Sequence, residues 1–264
     1  MPRLGGFGDE ISASIAEQIE VMQSVGVNAL ELRAAEGQGV LQLDGAEREE
    51  VRQRLADAGV TVFSIGSPVG KTKIEEPFEA VLEQLHRAIE QAHYFSTSRI
   101  RVFSFYMDQA KLDEHREEVI ERLATMAEVA VVADVLLCHE NESGLYGQSV
   151  ERCRDLLAAV DSRAFRAVHD TCNWVSHGEE AYPAGYEALR PWLEYVHIKD
   201  WGANAVQPAG EGEGRMPELF AALQASGWDG YLSLEPHLGG GPDSFRRAAL
   251  ALQRCLDALD WRWE

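Results

Sequence analysis

The chain has 264 residues, with 24 Lys+Arg against 44 Asp+Glu and a formal net charge of −20. That length fits two small domains or one α/β barrel of about 250 residues, and the charge would repel phosphates, so nucleic acid is not an expected partner. The opening "MPRLGGFGDE" lacks the basic start and apolar stretch of a signal peptide and no run approaches a membrane span, so a cytoplasmic location without membrane attachment is expected.

Taken in order, strand-like apolar segments alternate with segments of helical period. Leu4–Phe7 precedes a helix over Ile15–Val25, Ala29–Leu32 precedes Ala46–Ala58, and Val60–Ile65 precedes Phe78–His93. Ile100–Ser104 leads to Glu114–Val132, and Val135–Cys138 leads to Val150–Val160. Ala164–His169 leads to a shorter helix in "YPAGYEALRPWL", Tyr195–Ile198 to Met216–Ala225, and Tyr231–Leu234 to Phe245–Leu259. Gly26, Gly59 and Gly227 sit between a helix and the next strand, where a C-terminal glycine is expected. Eight such units imply parallel strands with right-handed crossovers. A doubly wound open sheet would alternate in the same way, but no Gly-rich dinucleotide fingerprint follows the first strand. The expected fold is a single-domain (β/α)₈ TIM barrel spanning residues 1–264.

Such a barrel carries its chemistry at the C-terminal ends of its strands. Those ends hold Asp9 and Glu10, Glu31 and Arg33, Ser67, Tyr106, the run "HENE", His169 and Asp170, then "HIKD" and "LEPH". Glu140, Asp170, His197 and Glu235 offer three carboxylates and an imidazole. This hard donor set suits Mn²⁺, Mg²⁺ or Co²⁺, with Zn²⁺ also compatible. Singly, Asp170 reads equally well as a helix cap and His197 as a core histidine. Glu235 ends an apolar strand, where an unpaired carboxylate costs several kcal/mol. Cys138, Cys153, Cys172 and Cys255 lack close-paired metal spacing and read as reduced thiols.

"HENE", "HDTCN", "HIKD", "PAGEGEGRMPEL" and "GYLSLEPH" resemble the sugar phosphate isomerase/epimerase family, the xylose-isomerase-like TIM barrels. The resemblance spans nearly the whole chain. It implies a carbohydrate-like small-molecule substrate and a divalent ion held by Glu140, Asp170, His197 and Glu235. It also implies an enediolate route to isomerisation or epimerisation, with Glu140 and Glu235 as acid and base on opposite faces of the reacting carbon. An inosose-type dehydratase and a non-catalytic sugar-binding barrel are the alternatives, and self-association is open. In the family's ketohexose 3-epimerases, substrate contacts fall six residues after the first Glu, three after the Asp and six after the His. Here Tyr146, Asn173 and Ala203 stand where that group has Glu, His and Arg, which points away from a free ketohexose. The endonuclease IV branch needs further histidine ligands, and Asn173 occupies one such place. Lys199, Asn173, Arg33 and Tyr146 are the candidate substrate contacts; Lys199 reads equally well as an ion-pair partner of Asp200 or another barrel carboxylate, and Arg33 can simply pair with Glu31. "GEGEGR" at 210–215 reads as a mobile loop over the site, Glu142 as a supporting carboxylate, and Trp174, Trp201 and Cys172 chiefly as packing.

Overall fold

The computed structural model describes residues 1–263. Eight parallel strands close into a barrel: β1 (Arg3–Gly6), β2 (Ala29–Leu32), β3 (Thr61–Ile65), β4 (Arg99–Val102), β5 (Leu136–Glu140), β6 (Phe165–Asp170), β7 (Leu193–Ile198) and β8 (Tyr231–Leu234). Each pairs with its sequence neighbours, and β1 closes the ring on β8 with Leu4 beside Leu232. The expected (β/α)₈ architecture is therefore the observed one.

The long helices are α1 (Ile15–Ser24), α2 (Gly45–Ala58), α3 (Phe78–Tyr94), α4 (Arg116–Ala133) and α5 (Val150–Val160). After β6 come a single-turn α6 (Thr171–Val175) and a short α7 (Tyr186–Leu189), then α8 (Met216–Ala225) and α9 (Pro242–Asp257). They face the barrel through one stripe each. In α3 the buried set Val81, Leu85, Ala88, Ile89 and Ala92 follows the three-to-four residue spacing of one helical face. Ser149 caps α5, its hydroxyl accepting from the Arg152 amide at 3.3 Å. Gly59 ends α2 at φ 68°, a left-handed turn that only glycine enters without strain.

The barrel interior is layered by the two-residue period of its strands. Ala29, Phe63, Cys138, Val168 and Tyr195 pack together as one inner apolar layer. Two residues further along four of those strands stand Glu31, Glu140, Asp170 and His197, all buried. The polar layer thus lies directly on the apolar one, at the C-terminal mouth. Strand β5 runs to Glu140 rather than ending at Cys138, because His139 and Glu140 continue its alternation instead of breaking it.

Candidate metal centre

The four proposed ligands converge: one donor atom from each of Glu140, Asp170, His197 and Glu235 can be chosen so that all lie within 4.8 Å of one another. Asp170 and His197 are register partners on β6 and β7. His197 Nδ1 is the hub, 3.0 Å from Glu140 Oε1 and 3.5 Å from both Asp170 Oδ2 and Glu235 Oε2. The ring's other nitrogen, Nε2, faces Glu31 Oε2 at 3.2 Å. Glu31 is fully buried and also accepts from Ser233 Oγ at 2.7 Å and Tyr195 Oη at 2.8 Å. A carboxylate so placed fixes the proton on Nε2 and leaves the Nδ1 lone pair aimed into the cluster.

Asp170 caps a helix with one oxygen and turns the other to the cluster. Its Oδ1 accepts from the Asn173 amide at 2.8 Å and caps α6, while Oδ2 faces His197 and Lys199. Asn141 staples the ends of β5 and β6, donating to the Asp170 carbonyl at 2.9 Å and accepting from its amide at 2.8 Å.

Two cations lie inside the cluster. Arg101 on β4, 4% exposed, brings Nη1 to 3.2 Å from Glu140 Oε2 and 3.8 Å from Glu235 Oε1. Its guanidinium lies between the Phe7 and Phe103 rings, about 5 Å from each centroid. Lys199 Nζ stands 2.6 Å from Glu235 Oε2 and 2.9 Å from Asp170 Oδ2.

These neighbours set the charges. Burial works to raise the Glu140 carboxyl, but His197 and Arg101 outweigh it and bring it down to about 2. Burial likewise opposes the Glu235 carboxylate, and Lys199 and His197 hold it well below the usual range. Burial disfavours the His197 imidazolium, yet Glu140, Glu31 and Glu235 together keep its pKa well above 6.5. The same carboxylate field that attracts a proton there would attract a metal cation, which competes with it.

The residues fit a divalent ion on three counts. Asp170 Oδ2, one of the oxygens that face His197 Nδ1, is buried and accepts no hydrogen bond, even though Lys199 stands within ion-pair range. Glu31, Glu140, Asp170 and Glu235 set four carboxylates against the two buried cations, a deficit of two charges that one divalent ion balances when His197 is neutral. The donor set is hard oxygen with one imidazole.

A cavity of about 540 Å³ opens above the cluster, lined among others by Arg33, Lys71, Arg101, Glu140, Asn173, Lys199, Glu235 and His237. Arg33 faces it, bonded to Asp9 at 2.7 Å, Glu10 at 2.8 Å and Glu235 Oε1 at 3.0 Å rather than to Glu31. Asn173 donates to Glu140 Oε1 at 3.3 Å, and Glu142 pairs with Lys71 at 2.8 Å on the cavity wall.

Other expected contacts lie elsewhere. Tyr146 is buried behind the barrel wall, its hydroxyl 3.4 Å from Asp155 and its ring under Arg152; a short 3-10 turn at Tyr146–Gln148 carries it out of the mouth. Ala203 sits in the tight turn between the paired segments Asp200–Gly202 and Ala205–Gln207. The 210–215 segment is tied down rather than loose. The Gly212 and Gly214 amides donate to Asp200 at 3.1 and 3.0 Å, so that carboxylate is engaged and Lys199 turns inward instead. Trp174 is fully buried against His169, and burial pushes the Cys172 thiol up to about 12. Glu31 pointing inward and Arg101 escaped the sequence reading. Their signal was a charged residue in phase with the inward positions of a short apolar strand.

No helix among the described residues is long and apolar enough to cross a membrane. No curated protein matches the chain. Among solved structures, it is similar to a probable 3-DHS dehydratase involved in petrobactin synthesis from Bacillus anthracis, with TM-score 0.82 and 18% identity over 96% of this chain and 99% of that one. It is also similar to 3-keto-D-glucoside 4-epimerase from E. coli, with TM-score 0.71 and 19% identity over 96% and 99%. A xylose isomerase-like barrel from Mycobacterium smegmatis in complex with magnesium gives TM-score 0.75 and 18% identity over 98% and 97%. At these identities the likeness is one of fold. Residues 19–255 match the family model described as xylose isomerase-like TIM barrel, and the chain belongs to that family.

Proposed function

We propose that the protein is a divalent-metal-dependent isomerase or epimerase that moves a proton at the carbon beside a carbonyl of a carbohydrate-like substrate. In this reading Glu140, Asp170, His197 and Glu235 hold the ion, and Glu140 and Glu235 exchange the proton. The observation that carries it is the division of labour within each glutamate. Glu140 Oε1 and Glu235 Oε2 face His197 Nδ1, while Glu140 Oε2 faces Arg101 at 3.2 Å and Glu235 Oε1 faces Arg33 at 3.0 Å and Arg101 at 3.8 Å. In this reading one oxygen of each turns to the ion and the other, on the guanidinium side, handles the substrate proton.

A bound divalent ion would supply the electrophile that stabilises negative charge developing on the substrate's oxygens, and so acidify its α-proton. Glu140, with its carboxyl at about 2, is a weak base on its own and depends on that acidification. Arg101 holds the two proton-handling oxygens at a fixed spacing. Lys199, Asn173 and Arg33 offer donors to hydroxyl or carbonyl oxygens from the cavity wall. Proton removal beside a carbonyl opens either reprotonation or loss of a β-hydroxyl, so the epimerase and dehydratase named among the similar structures mark two outcomes of one first step.

The test is to incubate the Mn²⁺-loaded protein in D₂O with ketoses, keto-glycosides and inososes. Deuterium at the α-carbon with an isomeric product is the expected result, and water release without an isomer moves the assignment to a dehydratase. Glu140→Gln and Glu235→Gln, with metal occupancy verified, are expected to lose about 10² to 10⁴-fold in turnover. Full interconversion in both loaded variants would assign the proton to another group.

A further inference from the structure

Lys199 stands apart from the rest of the cavity wall. Its side chain is 3% exposed, and its ammonium makes no contact with Asp200, the acid beside it in sequence. It reaches instead Glu235 Oε2 at 2.6 Å and Asp170 Oδ2 at 2.9 Å. These are the two oxygens that also face His197 Nδ1, each at 3.5 Å. They are therefore the donor atoms that Asp170 and Glu235 would turn to an ion. An ammonium and a divalent ion sharing two oxygens repel each other and draw on the same lone pairs, in a dry setting where such repulsion is weakly screened.

Resting on the metal-site reading above, we infer that Lys199 is a built-in competitor for the divalent ion. Its ammonium weakens ion binding, and it neutralises Asp170 and Glu235 when the ion is stripped, so that the cluster does not burst apart by mutual repulsion. The design trades affinity for a site that stays assembled with or without its ion. Loading draws the oxygens toward the ion and loosens the grip on Nζ, whose donors then face the cavity that Lys199 lines. Lys199 is in this sense a positioning residue whose orientation is coupled to ion occupancy.

Two measurements that need no substrate test it. Calorimetry with Mn²⁺ compares wild type with Lys199→Met and Lys199→Gln. Both variants are expected to bind at least about tenfold more tightly, since each removes a like charge beside the ion. Thermal melts in chelator and in saturating Mn²⁺ complete the pair: the variants should melt well below wild type in chelator and recover most of that gap with the ion. Lys199→Gln keeps a donor and similar bulk, which guards against a packing defect in the methionine variant. Wild type that binds Mn²⁺ together with variants that bind it equally or more weakly overturns this inference alone. Wild type that binds no Mn²⁺ overturns it together with the metal-site reading.

Discussion

Replacing Glu31 by Gln tests whether His197 is held ready to ligate by its partner on β2. Glu31 has no exposed surface and answers three donors: Tyr195 at 2.8 Å on Oε1, then Ser233 at 2.7 Å and His197 at 3.2 Å on Oε2. A glutamine amide has one acceptor oxygen. With that oxygen toward Ser233 and His197, the NH₂ meets Tyr195 Oη, and the charge that strengthened all three bonds is gone. In the opposite orientation the NH₂ faces His197 Nε2, which must then carry a lone pair, and the proton moves to Nδ1 where an ion would bind. Loss of such an outer carboxylate costs about 10- to 100-fold in metal affinity, or about 1.4 to 3 kcal/mol. Mn²⁺ calorimetry on Glu31→Gln, with circular dichroism to verify the fold, reads this directly. Binding within twofold of wild type would refute the tautomer-setting function of Glu31.

Arg101→Met removes the buried cation beside Glu140 Oε2, while Glu235 keeps Lys199 and Arg33; urea unfolding in chelator should show a loss of about 3 to 5 kcal/mol, and a change below about 1 kcal/mol would show that water or another cation already compensates Glu140. Tyr146→Phe deletes only a hydroxyl 3.4 Å from Asp155, so turnover and KM should stay within twofold; a tenfold fall in either would put Tyr146 in the substrate's path. Burial lowers the His139 imidazole to about 4, so between its ordinary 6.5 and that value the unfolded chain takes a proton the folded chain refuses. Stability is then full above pH 6.5 and falls as pH drops toward 4, by up to about 3 kcal/mol from this group. His169, also lowered by burial, adds in the same direction. The drop between pH 7 and 5 in urea should shrink in His139→Gln, and an unchanged drop would assign the acid sensitivity elsewhere.

The barrel was legible because its signals are local. Apolar runs of four to six residues, helical spacing and a glycine such as Gly59 at φ 68° each act within a few positions of the chain. The end of β5 is less legible, since the onset of polarity at His139 reads as the end of a strand that runs on to Glu140. At this mouth polarity marks direction instead. Glu140 and Asp170 are the last residues of β5 and β6, and their side chains continue the inward phase of Cys138 and Val168. Carrying that two-residue phase past the apolar run, from Ala29 to Glu31 and from Tyr195 to His197, finds the whole polar layer without any family knowledge.

What local reading could not supply was who pairs with whom. Lys199 and Asp200 are adjacent and oppositely charged, and the sequence leaves open whether Lys199 pairs with Asp200 or with another barrel carboxylate. Strand alternation sends them apart, and the Asp200 carboxylate is taken by the amides of Gly212 and Gly214, in the loop that follows. Any Cβ at Gly214 would collide with Thr171 Cγ2, so only glycine lets that segment come close enough to claim Asp200. Lys199 is then directed to Asp170 and Glu235. Two glycines in a surface segment thereby decide which carboxylates an ammonium shares inside the barrel.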